Sequence, residues 1–129
     1  FLYTEYDWRI GILNGRPLFA CQYFMSKKNW KIVEHKADGK FIEGGFTTMP
    51  VDQAPPDVVA TALAAANLIG DGLYGVDMKQ TAKGPVIIEV NDNPNLDSGV
   101  EDKYLKDQLY REVLGEFMRR LEIRALSQC

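Results

Sequence analysis

The sequence predicts an α+β fold, an antiparallel sheet with two helices packed on one face, as a single domain over residues 1–129. Two observations predict it. Aromatic-rich, strand-like segments joined by turn signals fill the first fifty residues and recur over 73–91. Two other segments repeat apolar residues at helical spacing, one between the strand groups and one after them. Runs of adjacent strands with segregated helices make an antiparallel layer. The length suffices for a core, and 46% apolar with 26% charged residues is ordinary globular composition.

Tyr6 to Leu13 reads as a strand that runs into Asn14-Gly15, a dipeptide suited to the positive φ angles of a tight hairpin. Leu18 to Met25 returns from that turn. Ser26-Lys27-Lys28-Asn29 reads as a solvated turn, Trp30 to Glu34 as a short strand, and Asp38-Gly39 as a turn into Lys40–Glu43. Gly44-Gly45 marks a flexible point. Pro55-Pro56 opens a helix, where a missing N–H costs nothing. Val59, Ala62, Leu63, Ala66 and Ile69 recur along it, alanine favours it, and Gly70 suits the position just past its end. Strands follow over Leu73–Gln80 and Pro85–Asn91, joined by the loop Ala82-Lys83-Gly84. A turn-rich stretch beginning Asp92-Asn93-Pro94-Asn95 leads to a long helix over about Asp102 to Ala125. Leu105, Leu109, Val113, Phe117 and Leu121 form its stripe, and Arg119, Arg120 and Arg124 suit its negative end.

Fifteen Lys and Arg against eighteen Asp and Glu give a net charge of −3. No whole-chain basic footprint for nucleic acid exists, so none is expected as a partner. No apolar run approaches the ~20 residues of a membrane span. Cys21 and Cys129 are too few and too far apart for a disulfide framework, which suits free thiols in a reducing cytoplasm. The chain opens Phe1-Leu2-Tyr3, with no Met and no leader pattern, and reads as a piece of a longer protein.

The second hairpin carries the chemistry. On its first strand Gly75, Asp77 and Lys79 share one face, and on its second Ile87, Glu89 and Asn91 do. A three-residue loop pairs Thr81 with Pro85, hence Lys79 with Ile87 and Asp77 with Glu89. Opposed carboxylates destabilise a sheet unless something offsets them. A shared proton, the nearby Lys79 or a hard divalent cation could each do so, and Asp, Glu and Asn oxygens suit Mg²⁺. A merely solvated face would also carry these charges, but Ile87 beside Glu89 argues against that.

Gly75-Val76-Asp77 followed by Glu89-Val90-Asn91-Asp92-Asn93-Pro94 resembles the closing hairpin of the ATP-grasp fold. More narrowly it is similar to the RimK-like amino-acid (glutamate) ligases. Asp7-Trp8-Arg9 matches that family's D-x-R strand, and the resemblance spans most of the chain. It implies the C-terminal subdomain of an ATP-grasp domain in an ATP-dependent carboxylate–amine ligase that forms an acyl phosphate. Asp77, Glu89 and Asn91 would hold magnesium, as one ion or two, with Mn²⁺ able to substitute. Arg9 would be catalytic at the transferring phosphoryl group, and Arg9, Lys31 and Lys79 would bind ATP phosphates. Without the resemblance, Arg9 is a strand surface residue paired with Asp7. Asn93 and Asn95 would sit in the acceptor loop, facing an amino acid, a peptide or a protein.

Departures are visible. Where the family has R-x-N this chain has Lys31-Ile32-Val33, so Lys31 would act as a point charge and Val33 supplies no amide. Asn95 stands where the family often has glycine. The nucleotide-clamping lysine and adenine hinge belong to a missing N-terminal part, and no Gly-rich phosphate loop replaces them. The competing reading is a non-catalytic ATP-grasp-like fragment or interaction domain. His35 reads as a surface or turn residue, Cys21 as core, and Trp8, Trp30, Tyr6 and Tyr23 as sheet packing.

Overall fold

The computed structural model describes residues 5–24, 34–35, 41–42, 45–96 and 99–127. The Ser26–Asn29 turn, most of the Trp30–Glu34 strand, Lys31, the Asp38-Gly39 turn and Gly44 lie outside them. In chain order the elements are β1 (Tyr6–Leu13), β2 (Arg16–Phe24), β3 (Glu34–His35), β4 (Phe41–Ile42) and β5 (Phe46–Met49), then α1 (Pro56–Ile69), β6 (Leu73–Thr81), β7 (Gly84–Asn91) and α2 (Asp107–Ser127). Five strands form one antiparallel sheet in the order β5-β2-β1-β6-β7, and β3 pairs with β4. Asn14 and Gly15 both take positive φ, the conformation a two-residue hairpin requires.

The α+β class holds, but the two helices do not share a face. Trp8, Ile10, Ile12, Ala20, Tyr74, Val76 and Met78 form one core with Val58, Ala62 and Ala66 of α1. The residues between them in sequence, Leu13, Phe19 and Cys21, form a second core with Leu109 and Val113 of α2. Neighbouring strand residues point to opposite faces, so α1 and α2 cover opposite sides of the sheet. The cause is legible in β2, where Leu18-Phe19-Ala20-Cys21 is apolar on both faces and both need cover.

Helix α1 keeps its expected bounds. Gly70 ends it with an extended backbone rather than a left-handed one. Its requirement is space, because a Cβ there would come within 2.7 Å of the Tyr74 hydroxyl. Helix α2 starts at Asp107, later than expected, after a turn in which Lys106 takes φ 52°. Tyr110 seats its first turns by donating to Asp102 at 2.8 Å. Arg120 ties its middle to the backbone carbonyl of Asp71, in the α1–β6 connection. The expected stripe leaves the sheet after Val113: Phe117 is 42% exposed and Leu121 65%.

Candidate functional site

The site lies on the α2 side of the sheet, where β1, β6 and β7 run side by side. Pairing of β1 with β6 places Arg9 directly opposite Asp77. Arg9 donates through Nε to Oδ1 at 2.7 Å and through Nη2 to Oδ2 at 3.0 Å, a two-pronged ion pair. The sequence alternative paired Arg9 with Asp7; instead Asp7 accepts from Lys79 Nζ at 2.6 Å. Lys79 is buried in that contact. The hydrogen bond to Asp77, with its charge, holds the Arg9 guanidinium proton more tightly than usual against the opposing effect of burial.

Strand β7 completes the row by a route the sequence count did not foresee. The turn is two residues, Ala82-Lys83, so Thr81 faces Gly84 and Lys79 faces Val86 rather than Ile87. A bulge then absorbs Ile88, which brings Glu89 back opposite Asp77 and Asn91 opposite Gly75. Ile87 consequently faces Met78, on the α1 side, so its apolar character says nothing about the Asp77–Glu89 face. Glu89 is exposed. The carboxylate opposite it is offset by Arg9, which the sequence alternatives of proton, Lys79 or cation did not include.

Loop geometry follows from two small residues. Asn91 Oδ1 accepts from the Asn93 N–H at 2.9 Å, which turns the chain so that Pro94 is buried over Gly75. A Cβ on Gly75 would meet the Pro94 Cβ at 2.8 Å and come within 3.7 Å of Arg9 Cδ. Asn93 and Asn95 are exposed on either side of Pro94.

Two further residues join the site: Tyr23, which the sequence reading gave as sheet packing, and Glu101, which it did not single out. The Tyr23 ring lies under the Arg9 guanidinium, 5.4 Å from its centroid. Its hydroxyl donates to Glu101 Oε1 at 2.9 Å, and that oxygen is 3.9 Å from Arg9 Nη1. Glu101 is 2% exposed. Burial pushes the Tyr23 phenol well above its ordinary range. Tyr23 was legible as the residue sharing a face with Cys21, two positions back, whereas Glu101 sits in irregular sequence with no periodicity to mark it. Cys21 is buried, and burial pushes its thiol up to about 11, in keeping with a core residue rather than a nucleophile.

Asp77, Glu89 and Asn91 offer only oxygen donors in neighbouring register positions on one face, a donor set that fits Mg²⁺. Among the described residues no group of three or more His, Cys, Asp or Glu forms a ready metal cage. Two carboxylates and an amide suit an ion that keeps several waters and phosphate oxygens.

No family model matches the chain. It is 40% identical over 119 residues to a protein of Aeromonas salmonicida (strain A449) named "Probable alpha-L-glutamate ligase", covering 92% of this chain and 35% of that one. D-alanine–D-alanine ligase from Bacillus anthracis superposes with a TM-score of 0.63 at 15% identity, over 95% of this chain and 43% of that one. The ATP-grasp ligase PsnB, solved with a phosphomimetic precursor variant, Mg and ADP, superposes with a TM-score of 0.54 at 19% identity, over 87% of this chain and 34% of that one. The chain is thus similar in sequence to proteins named probable alpha-L-glutamate ligase and shares its fold with ligases of the ATP-grasp kind. It spans about a third or less of the length of the curated relatives it matches. Within the chain the D-x-R, G-V-D and E-V-N-x-x-P pieces occupy three adjacent strands and the loop that follows them. Among the described residues no helix is long and apolar enough to cross a membrane.

Proposed function

We propose that this chain is the C-terminal part of an ATP-grasp catalytic domain and works within an ATP-dependent carboxylate–amine ligase of the glutamate-ligase kind. The observation that carries the proposal is the row formed by Arg9, Asp77 and Glu89 on three neighbouring strands, with Asn91 one pair further on. In the reaction class, a substrate carboxylate oxygen attacks the γ-phosphorus of ATP and ADP leaves. An amine then attacks the resulting acyl phosphate and inorganic phosphate leaves. Asp77, Glu89 and Asn91 would hold Mg²⁺, one ion or two, with Mn²⁺ able to substitute. The ion would neutralise charge on the phosphate oxygens. Arg9 would present its planar fork to the transferring phosphoryl group, while Lys79, and Lys31 outside the described residues, would add point charges. Asn93 and Asn95 would face the acceptor, an amino acid, a peptide or a protein C-terminus. Cys21 is a free thiol, which suits a reducing cytoplasm.

The test is phosphate release by the full-length protein from Mg·ATP across a panel of amino acids, with one carboxylate labelled with ¹⁸O. Transfer of one label atom into inorganic phosphate is the expected result. Inorganic phosphate free of label, or no carboxylate-dependent release, would overturn the acyl-phosphate route. A second reading, a non-catalytic ATP-grasp-like interaction domain, is favoured by one observation. Arg9 and Asp77, the two groups the chemistry needs most, are bonded to each other. That reading expects Arg9→Ala to leave every activity of the full-length protein unchanged.

A further inference from the structure

Arg9 is held on more than one side. Asp77 takes the edge formed by Nε and Nη2. Its remaining terminal nitrogen, Nη1, points toward Glu101, and the Tyr23 ring supports the guanidinium from one face. Tyr23 in turn fixes Glu101 through a 2.9 Å hydrogen bond. A glutamate 2% exposed is costly unless it is engaged, and here it is engaged by a phenol and an arginine. Glu101 lies in the turn-rich stretch after Pro94, so the loop that begins at Asn91 also delivers the second anion to Arg9.

We propose that Glu101, supported by Tyr23, is the positioning residue for Arg9, keeping the guanidinium in place through Nη1 when Asp77 exchanges Arg9 for a cation. This rests on the ligase reading above, in which Asp77 and Arg9 serve different partners. The geometry separates the two duties. The edge that Asp77 vacates is the Nε–Nη2 fork, the two-donor edge that matches a pair of phosphate oxygens. The opposite corner stays facing Glu101. Without that anchor, a freed arginine would sample many rotamers, and ordering it again would weaken phosphate binding.

Charge alone predicts the opposite sign. Removing a carboxylate beside a site for a polyanion should tighten binding through Coulomb's law. Positioning predicts weaker binding on the same substitution, so the direction of the effect is diagnostic. The experiment is calorimetry of the full-length protein with magnesium and the non-hydrolysable imido analogue of ATP, on wild type, Glu101→Gln, Arg9→Ala and the double variant. The expected result is a loss of about ten-fold for Glu101→Gln, within the range of coupling energies between neighbouring charged side chains. In the Arg9→Ala background the same change should alter affinity by no more than roughly two-fold, because its target is gone. Tyr23→Phe keeps the ring and removes only the hydroxyl, so it reports on the same brace if Glu101→Gln does not fold. Unchanged or tighter binding by Glu101→Gln, or an equal loss in both backgrounds, would overturn the brace and leave the ligase reading standing. Absence of binding by the wild type would overturn the ligase reading and the brace with it.

Discussion

Arg9 and Asp77 meet because two strands pair in a register set by the core residues between them. Trp8, Ile10, Val76 and Met78 are buried on one face, and the alternate positions must therefore point the other way. The consequence for stability differs between the two facing carboxylates. Asp77 is 22% exposed and bonded through both oxygens, so Asp77→Asn should cost about 1.5–3 kcal/mol, the scale of hydrogen bonds between charged groups. Glu89 is exposed beside that pair, and Glu89→Gln should be neutral or stabilising by roughly 0.2–1 kcal/mol. Urea melts in chelator check both, and equal losses would contradict the asymmetry. A second ion-pair cluster sets a pH dependence. Glu116 accepts from Arg119 and Arg120, and these bonds lower its carboxyl from 4.5 to about 2. A lowered folded-state pKa stabilises the fold above the unfolded value and is lost as pH falls through the folded one. The excess stability of wild type over Glu116→Gln should therefore shrink between pH 4.5 and about 2 and be flat above that window.

At the scale of elements, what was legible depended on whether a local pattern or a tertiary contact decided the outcome. Asn14-Gly15, Pro56 and the alanines of α1 act locally, and β1, the first turn and α1 lie where the sequence places them. The β6–β7 register was right at Asp77 and Glu89 for an incomplete reason. A loop counted one residue too long was compensated by an uncounted bulge at Ile88. Bulges leave no signature in side-chain alternation when the strand is Val86-Ile87-Ile88, apolar at every position. The stripe of α2 was read correctly as a period, but a period does not say how far the sheet beneath extends. Leu109 is fully buried and Leu121 is 65% exposed on the same helix. Leu109→Ala should then cost about 2–5 kcal/mol, and Leu121→Ala should stay within about 0.5 kcal/mol of wild type. Comparable losses from both, in thermal melts of this 129-residue chain, would mean that α2 is covered along its whole length.

For the whole molecule, the resemblance to glutamate ligases was legible because its motif pieces are short and separated by fixed distances, and 40% identity to a protein named probable alpha-L-glutamate ligase agrees with it. What the pieces could not convey was the second core, with Glu101 and Tyr23 around Arg9, because those contacts join residues 78 positions apart without any sequence pattern. The described site is also one-sided. Its polar row stands on one sheet face, with Glu89, Asn93 and Asn95 exposed. A site that binds a nucleotide well buries most of its ligand. On the proposed reading, the adenine and the remaining phosphate contacts belong to the other two-thirds of the length seen in the relatives. The 129 residues alone should accordingly fold, since their strands, turns and α1 agree across levels. They should bind Mg·ATP no more tightly than about millimolar, because three oxygen ligands and one arginine leave most of the nucleotide in water. Calorimetry on this chain, beside the full-length protein under the same conditions, makes the comparison. Micromolar binding by the 129 residues alone would show that one face of the sheet is a sufficient nucleotide site.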